Sequence, residues 1–275
     1  LSLQLHDVFA FPTLRQLASH IRLLASQTTT GAADEDRKLL FPLGPSLPGR
    51  QDVFLIPPIF GSALVYEKLA QALHVQVNCY GLQHKGLDAD EPFAGSIGEM
   101  AEDYLLEMTR VAAEGRVVLL GYSFGGLVAF ELAKRLEVRN YSVHLVLLDV
   151  ELKDCAVTPE GTGAAGGDHV FAVYEQQQFG PWLAQFGTQE TGRIKRLFLH
   201  NLDLRNQYQV AGAIQGNITL VKCEDNPLSD NMMRWKERTT GAFDCHDIPG
   251  NHFQVLDVGN VSRLQKVIGA LAGVR

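Results

Sequence analysis

Ser123 stands at the centre of Gly121-Tyr122-Ser123-Phe124-Gly125, a spacing that can put a serine hydroxyl at a sharp bend where it attacks carbonyl carbon. Glycine at both flanking positions suits such a bend, because side chains there would collide with the strand before it or the helix after it. A serine hydroxyl is a poor nucleophile near neutral pH. It needs a base, a carboxylate that orients the base, and N–H donors for the tetrahedral oxyanion.

Nine histidines compete for the base. In a strand-elbow-helix architecture the base follows serine and acid in the chain, in a loop after the final strand. His246 and His252 meet that order. His246 falls within a strand-like run, whereas His252 follows Pro249-Gly250-Asn251 and can lean over the serine, so His252 is the expected base. Two carboxylates close hydrophobic strands between serine and histidine: Asp149 after His144–Leu148 and Asp225 after Thr219–Glu224. Asp149 would be half desolvated and costly unless paired with an imidazolium, while Asp225 has polar neighbours. The residues themselves leave both open. For the oxyanion, the Phe124 N–H is one donor, and the second comes from the loop Pro58-Ile59-Phe60-Gly61-Ser62. Pro58 lacks an N–H, which leaves Ile59 or Phe60.

The elements that must position these groups are legible as alternating strands and helices. Asp52–Pro57, Gln76–Leu82, Val117–Leu120, Ser142–Asp149, Asn217–Cys223 and Ala242–Pro249 read as strands. Ile97–Ala113 and the segment from the elbow through Leu136 read as helices. Such alternation implies an α/β fold with a mostly parallel sheet covered on both faces and ligands at the carboxyl ends of its strands. Between Val150 and Gly216 the strands stop, and helical stretches around Val170–Phe179 and Thr191–Gln209 suggest a lid. The tract Gly161–Gly167 reads as a hinge or loose tip, since it lacks the lysine and preceding strand of a phosphate loop. The aromatic residues Phe171, Tyr174, Phe179, Trp182 and Phe186 read as packing within that insertion.

The 275 residues are 46% hydrophobic with a net charge of -7, enough for one large core and poorly suited to nucleic acid. Four cysteines show no CxxC spacing and fit reduced core thiols. No charged-then-apolar leader and no apolar run of about 18 residues is present, so neither signal peptide nor membrane span is expected and a cytoplasmic location follows. Residues 1–26 carry one short amphipathic helix, and 27–40 form a polar, threonine-rich linker.

The chain resembles the thioesterase domains that end nonribosomal peptide synthetases, with relatives ending polyketide and fatty acid synthases. The resemblance is carried by Phe54–Gly61 with Tyr66 downstream, Cys79-Tyr80-Gly81-Leu82, Gly121–Gly126 with Ala129-Phe130-Glu131, Val146–Asp149, Thr239–Ala242 and Gly250-Asn251-His252-Phe253. It implies an α/β-hydrolase fold over 41–275, a helical lid at about 151–212, a triad of Ser123, Asp149 and His252, and Ile59 as the second oxyanion donor. Asp7–Ala18 resembles the closing helix of a peptidyl carrier protein, the domain upstream of such thioesterases. The resemblance therefore implies a peptidyl or acyl chain delivered as a thioester on a carrier's phosphopantetheine arm, with no cofactor or metal bound directly. Release by water gives an acid, and release by a group of the chain itself gives a macrocycle or lactone. The competing expectations are an editing thioesterase or stand-alone esterase and a catalytically silent carrier-docking module.

Overall fold

The computed structural model describes residues 39–87, 91–112, 115–152 and 164–272. The expected carrier-like helix at 1–26 and the linker through residue 38 lie outside them. Seven strands form one sheet: β1 (Leu40–Pro42), β2 (Gln51–Ile56), β3 (Val77–Leu82), β4 (Arg116–Tyr122), β5 (Ser142–Leu148), β6 (Asn217–Cys223) and β7 (Phe243–Ile248). Their order is β1-β3-β2-β4-β5-β6-β7. All neighbours run parallel except β1, which pairs antiparallel with β3 through Leu40 opposite Leu82. The strand begins at Leu40, the last position of the expected linker.

The parallel strands are apolar on both sides because both faces are covered. In β4, Val117 and Leu119 join one core with α2 (Ile97–Met108) and α3 (Phe124–Val138). Val118, Leu120 and Tyr122 join the opposite core with α1 (Glu67–Leu73) and α8 (Val258–Ala272). Each fully buried aliphatic side chain of this kind contributes roughly 1.5–3 kcal/mol. The amphipathic spacing of Val261, Leu264 and Ile268 lays α8 against α1.

Two expectations change in detail. The helix beginning at Ile97 ends at Met108 instead of Ala113, since Thr109 caps it and the next N–H groups, Arg110 and Val111, bond three residues back in tighter turns. Gly166 and Gly167 sit in the first turn of α4 (Ala164–Tyr174), so that part of the glycine tract is helical. Residues 161–163 lie outside the described residues. The insertion continues from α4 through a π turn (Glu175–Phe179) into α5 (Gly180–Leu183) and α6 (Thr188–Gln207), and the short α7 (Ser229–Met232) follows β6. Its aromatic residues pack around Phe60, with ring centroids 3.9 Å away for Phe179, 4.8 Å for Phe198 and 5.9 Å for Phe171.

Candidate active site

β4 ends in a backbone that few residues tolerate. Ser123 has φ 54° and ψ -123°, a conformation that costs about 1–3 kcal/mol and persists only where its surroundings enforce it. A Cβ on Gly121 would lie 2.5 Å from the Gly125 carbonyl oxygen, and one on Gly125 would lie 2.4 Å from the Pro57 carbonyl oxygen. Strand, bend and helix therefore close on one another with no room for a methyl group. Phe124 opens α3, so its N–H has no acceptor within the helix and points from the positive end of the helix dipole.

Asp149 follows β5 with φ 50°, and this second left-handed turn carries its carboxylate off the strand line. The side chain is wholly buried and saturated with donors. Oδ1 accepts from the Cys223 N–H at 2.8 Å, while Oδ2 accepts from Asn226 Nδ2 at 2.6 Å and meets His252 Nδ1 at 2.7 Å. With Nδ1 donating to the carboxylate, Nε2 is left to face Ser123 Oγ at 3.0 Å. Asp225, the other carboxylate open at the sequence level, is exposed, and its N–H bonds the Gly250 carbonyl. His246 is exposed on β7. The structure thus brings together Ser123, His252 and Asp149 and leaves Asp225 and His246 apart from them.

The loop carrying His252 is fixed from several sides. Gly250 takes φ 90°, where a side chain would be strained. Asn251 and Gln254 form a reciprocal cap over the short turn that begins at His252. The Tyr122 hydroxyl donates to the His252 carbonyl at 2.6 Å, and its ring lies 5.2 Å from the imidazole. Burial and the neighbouring Asp149 carboxylate push the Cys223 thiol up, so it stays an S–H and donates to the Asn251 carbonyl at 3.2 Å. Tyr66 ties the elbow to the loop after β2: its hydroxyl donates to the Ile56 carbonyl at 2.7 Å and accepts from the Tyr122 N–H at 3.0 Å. Desolvation raises this buried phenol's pKa, which keeps its proton available for that role.

Ile59 and Phe60 lie in a turn closed by the Gly61 N–H on the Pro58 carbonyl at 2.8 Å. Both residues are buried. A cleft of about 180 Å³ opens beside Ser123, lined among others by Leu127, Tyr174, Arg205, Asn226 and Met232. On its wall Arg205 pairs with Glu151 at 2.6 Å. Tyr174, expected as lid packing, does pack against Phe60 and Phe198, and it also lines the cleft beside Ser123. Asn226 and Tyr174 escaped sequence reasoning because nothing local marks an asparagine beyond β6 or one tyrosine among several lid aromatics as facing the serine. Among the described residues, no group of His, Cys, Asp and Glu is arranged to hold a metal ion. No described helix is long and apolar enough to cross a membrane.

Malpibaldin synthetase of Mortierella alpina is 29% identical over 274 aligned residues, covering 93% of this chain and 4% of the synthetase. Malpinin synthetase of the same organism is 37% identical over 161 residues, covering 58% of this chain and 2% of that protein. The chain therefore spans a few per cent of the length of these relatives. Among solved structures, the Vlm2 thioesterase domain bound with a dodecadepsipeptide superposes with a TM-score of 0.71 at 23% identity, covering 86% of this chain and 99% of that one. At that identity the match speaks for the fold, an α/β-hydrolase sheet with a helical lid. The family profile described as a thioesterase domain matches residues 51–271 of the 275, and the chain belongs to the thioesterase domain family.

Proposed function

We propose that the chain is a chain-releasing thioesterase, in which Ser123 takes a peptidyl or acyl group from a carrier-bound phosphopantetheine thioester and then gives it up. The observation that carries this reading is the relay from Ser123 Oγ to His252 Nε2 at 3.0 Å and from His252 Nδ1 to Asp149 at 2.7 Å. In acylation, His252 Nε2 takes the Oγ proton as Oγ bonds the thioester carbon. The carbonyl oxygen, now an anion, accepts from the Phe124 and Ile59 N–H groups, each such donor being worth roughly 3 kcal/mol in the transition state. Collapse breaks the C–S bond, and the imidazolium returns its proton to the leaving sulfur. Asp149 keeps the imidazole in the tautomer that presents Nε2 and stabilises its charged form.

Deacylation repeats the sequence with a new nucleophile, which gives its proton to His252 as it attacks the acyl-serine. Water yields a linear acid; a hydroxyl or amine of the chain itself yields a ring. Both routes use the same residues, and what reaches the carbonyl decides between them. We infer further that residues 1–26 are the end of an upstream carrier domain and that its linker runs from residue 27 to the start of β1 at Leu40. On that reading the carrier is the partner that delivers the substrate, and no cofactor is bound to this chain itself.

The test is a fluorophosphonate, which should label the wild-type chain at Ser123 and fail on Ser123→Ala. Mass spectrometry of the products from pantetheine-linked peptides then reports acid against ring. A folded wild-type chain that neither labels nor turns over such thioesters would sink the proposal in favour of a silent docking module.

A further inference from the structure

Helix α6 reaches across the fold to the oxyanion loop through one side chain. Asn201 is completely buried, and its Nδ2 donates to the Ile59 carbonyl at 2.7 Å and to His84 Nδ1 at 3.0 Å. A carbonyl only accepts, so the amide nitrogen must face Ile59. His84 Nδ1 must then accept the second hydrogen, which places the ring proton on Nε2. His84 is itself 2% exposed, and its backbone N–H donates to the Gly61 carbonyl at 3.0 Å.

Two features separate this arrangement from ordinary packing. Among the described residues, Asn201 Oδ1 and His84 Nε2 have no protein partner, a cost that a leucine of similar volume would avoid. The bonded carbonyl also belongs to the central peptide of the Pro58–Gly61 turn. The two common turn types differ by a flip of that peptide, and Phe60 is not among the residues with positive φ, as the flipped form would require. That peptide carries the Phe60 N–H, while the Ile59 N–H belongs to the preceding peptide, whose Pro58 carbonyl accepts from Gly61, so the two bonds pin Ile59 from both sides.

We propose that Asn201 is a positioning residue for the oxyanion loop: with its amide oriented by His84, it anchors the Ile59–Phe60 peptide, which together with the Gly61 N–H on the Pro58 carbonyl holds Ile59, and with it the N–H that serves the acyl oxygen, in one place. The proposal rests on the reading of Ile59 as an oxyanion donor. It also makes α6 a fixed part of the site, consistent with buried Leu197 and Phe198 and with His200 Nε2 bonding the Ala94 carbonyl at 2.8 Å.

The test compares Asn201→Leu and Asn201→Asp with Ile194→Ala, which removes buried packing from the same helix without touching the loop hydrogen bonds. Turnover of a pantetheine thioester and the affinity of a trifluoromethyl ketone that forms a tetrahedral adduct are measured for each. Positioning requires Asn201→Leu to lower kcat about tenfold or more with KM within about twofold, and to weaken the ketone by a similar factor. The aspartate, which would face the Ile59 carbonyl with like charge, should be at least as severe. Ile194→Ala should lower Tm while leaving both readouts near wild type. A folded Asn201→Leu chain with wild-type kcat and ketone affinity overturns the proposal, as does an equal loss in Ile194→Ala. If the wild-type chain fails to label with fluorophosphonate, the thioesterase reading falls and takes this one with it. Labelling with an unaffected Asn201→Leu chain removes the positioning role alone.

Discussion

Asp149 and His252 meet at 2.7 Å although 103 positions separate them in the chain, and the carboxylate is wholly buried while the imidazole is partly open to the cleft. An acceptor so enclosed is stable as an anion because three donors reach it: the Cys223 N–H, Asn226 Nδ2 and His252 Nδ1. Asp149→Asn would offer His252 an amide in place of a pure acceptor and favour the wrong tautomer. Thioester turnover should fall by about 10³–10⁴ with the chain still folded. Asp225→Asn, at an exposed side chain, should leave kcat within about twofold. Steady-state kinetics on both variants checks the pair, and a severe loss in Asp225→Asn with none in Asp149→Asn would reverse the assignment.

The elbow's glycines make a separate prediction. Gly125→Ala would drive a methyl group to 2.4 Å from the Pro57 carbonyl oxygen and 2.5 Å from that of Ile56. Both are backbone atoms, so nothing nearby can rotate away. The bend must open, with a loss of stability of about 1–3 kcal/mol or more and loss of fluorophosphonate labelling at Ser123. Gly259→Ala meets nothing within 4 Å in α8 and should be neutral or slightly stabilising, because alanine favours a helix over glycine. Thermal melts and labelling rates on the two variants would separate elbow geometry from a general intolerance of alanine.

The parts that sequence made legible are those set by local chemistry. Glycine at 121 and 125 around Ser123 states the bend, and the unbroken apolar runs state strands covered on both faces. The choice between Asp149 and Asp225 needed the resemblance, since each closes a hydrophobic strand. What separates them physically is tertiary: Asp149 turns at φ 50° into a pocket of donors, while Asp225 faces solvent. Asn201 was silent for the same reason. Its role depends on a carbonyl 142 positions away, and an asparagine inside a long polar helix carries no periodic signal. β1 escaped notice because three residues ending in Pro42 are too short to show alternation.

Tyr174 sets a prediction about access. It comes from the lid to line the cleft beside Ser123, and its ring packs at 5.0 Å against Phe253. A phenol there sits where the acyl group is expected and offers the serine a competing polar neighbour. Tyr174→Phe keeps the ring and removes the hydroxyl from the cleft, so a small fluorophosphonate should label Ser123 about 2- to 10-fold faster, the size of one polar interaction of hydrogen-bond strength. Stopped-time labelling at matched concentrations is the measurement. A slower variant would mean that the hydroxyl assists the serine instead of capping it.

Two buried histidines give the stability a defined pH dependence. His144, whose Nε2 lies 2.8 Å from Thr219 Oγ1 in the sheet, is pushed down to about 4, by burial first and by Arg116 second. His84 is pushed down to about 3, by burial first and by His200 second. Both would titrate near 6.5 in the unfolded chain. Between that value and the folded one, the unfolded state holds a proton that the folded state lacks, so stability rises with pH across the window and drains away as pH falls below about 6.5. Each histidine can add a slope of up to about 1.4 kcal/mol per pH unit. His144→Gln keeps a hydrogen-bonding group near Thr219 and removes one titration. Urea unfolding from pH 7 to pH 4 should show the variant losing less stability than wild type, so that the gap between their curves changes in the variant's favour as pH falls. Parallel curves would mean that His144 takes up its proton over the same pH range folded and unfolded.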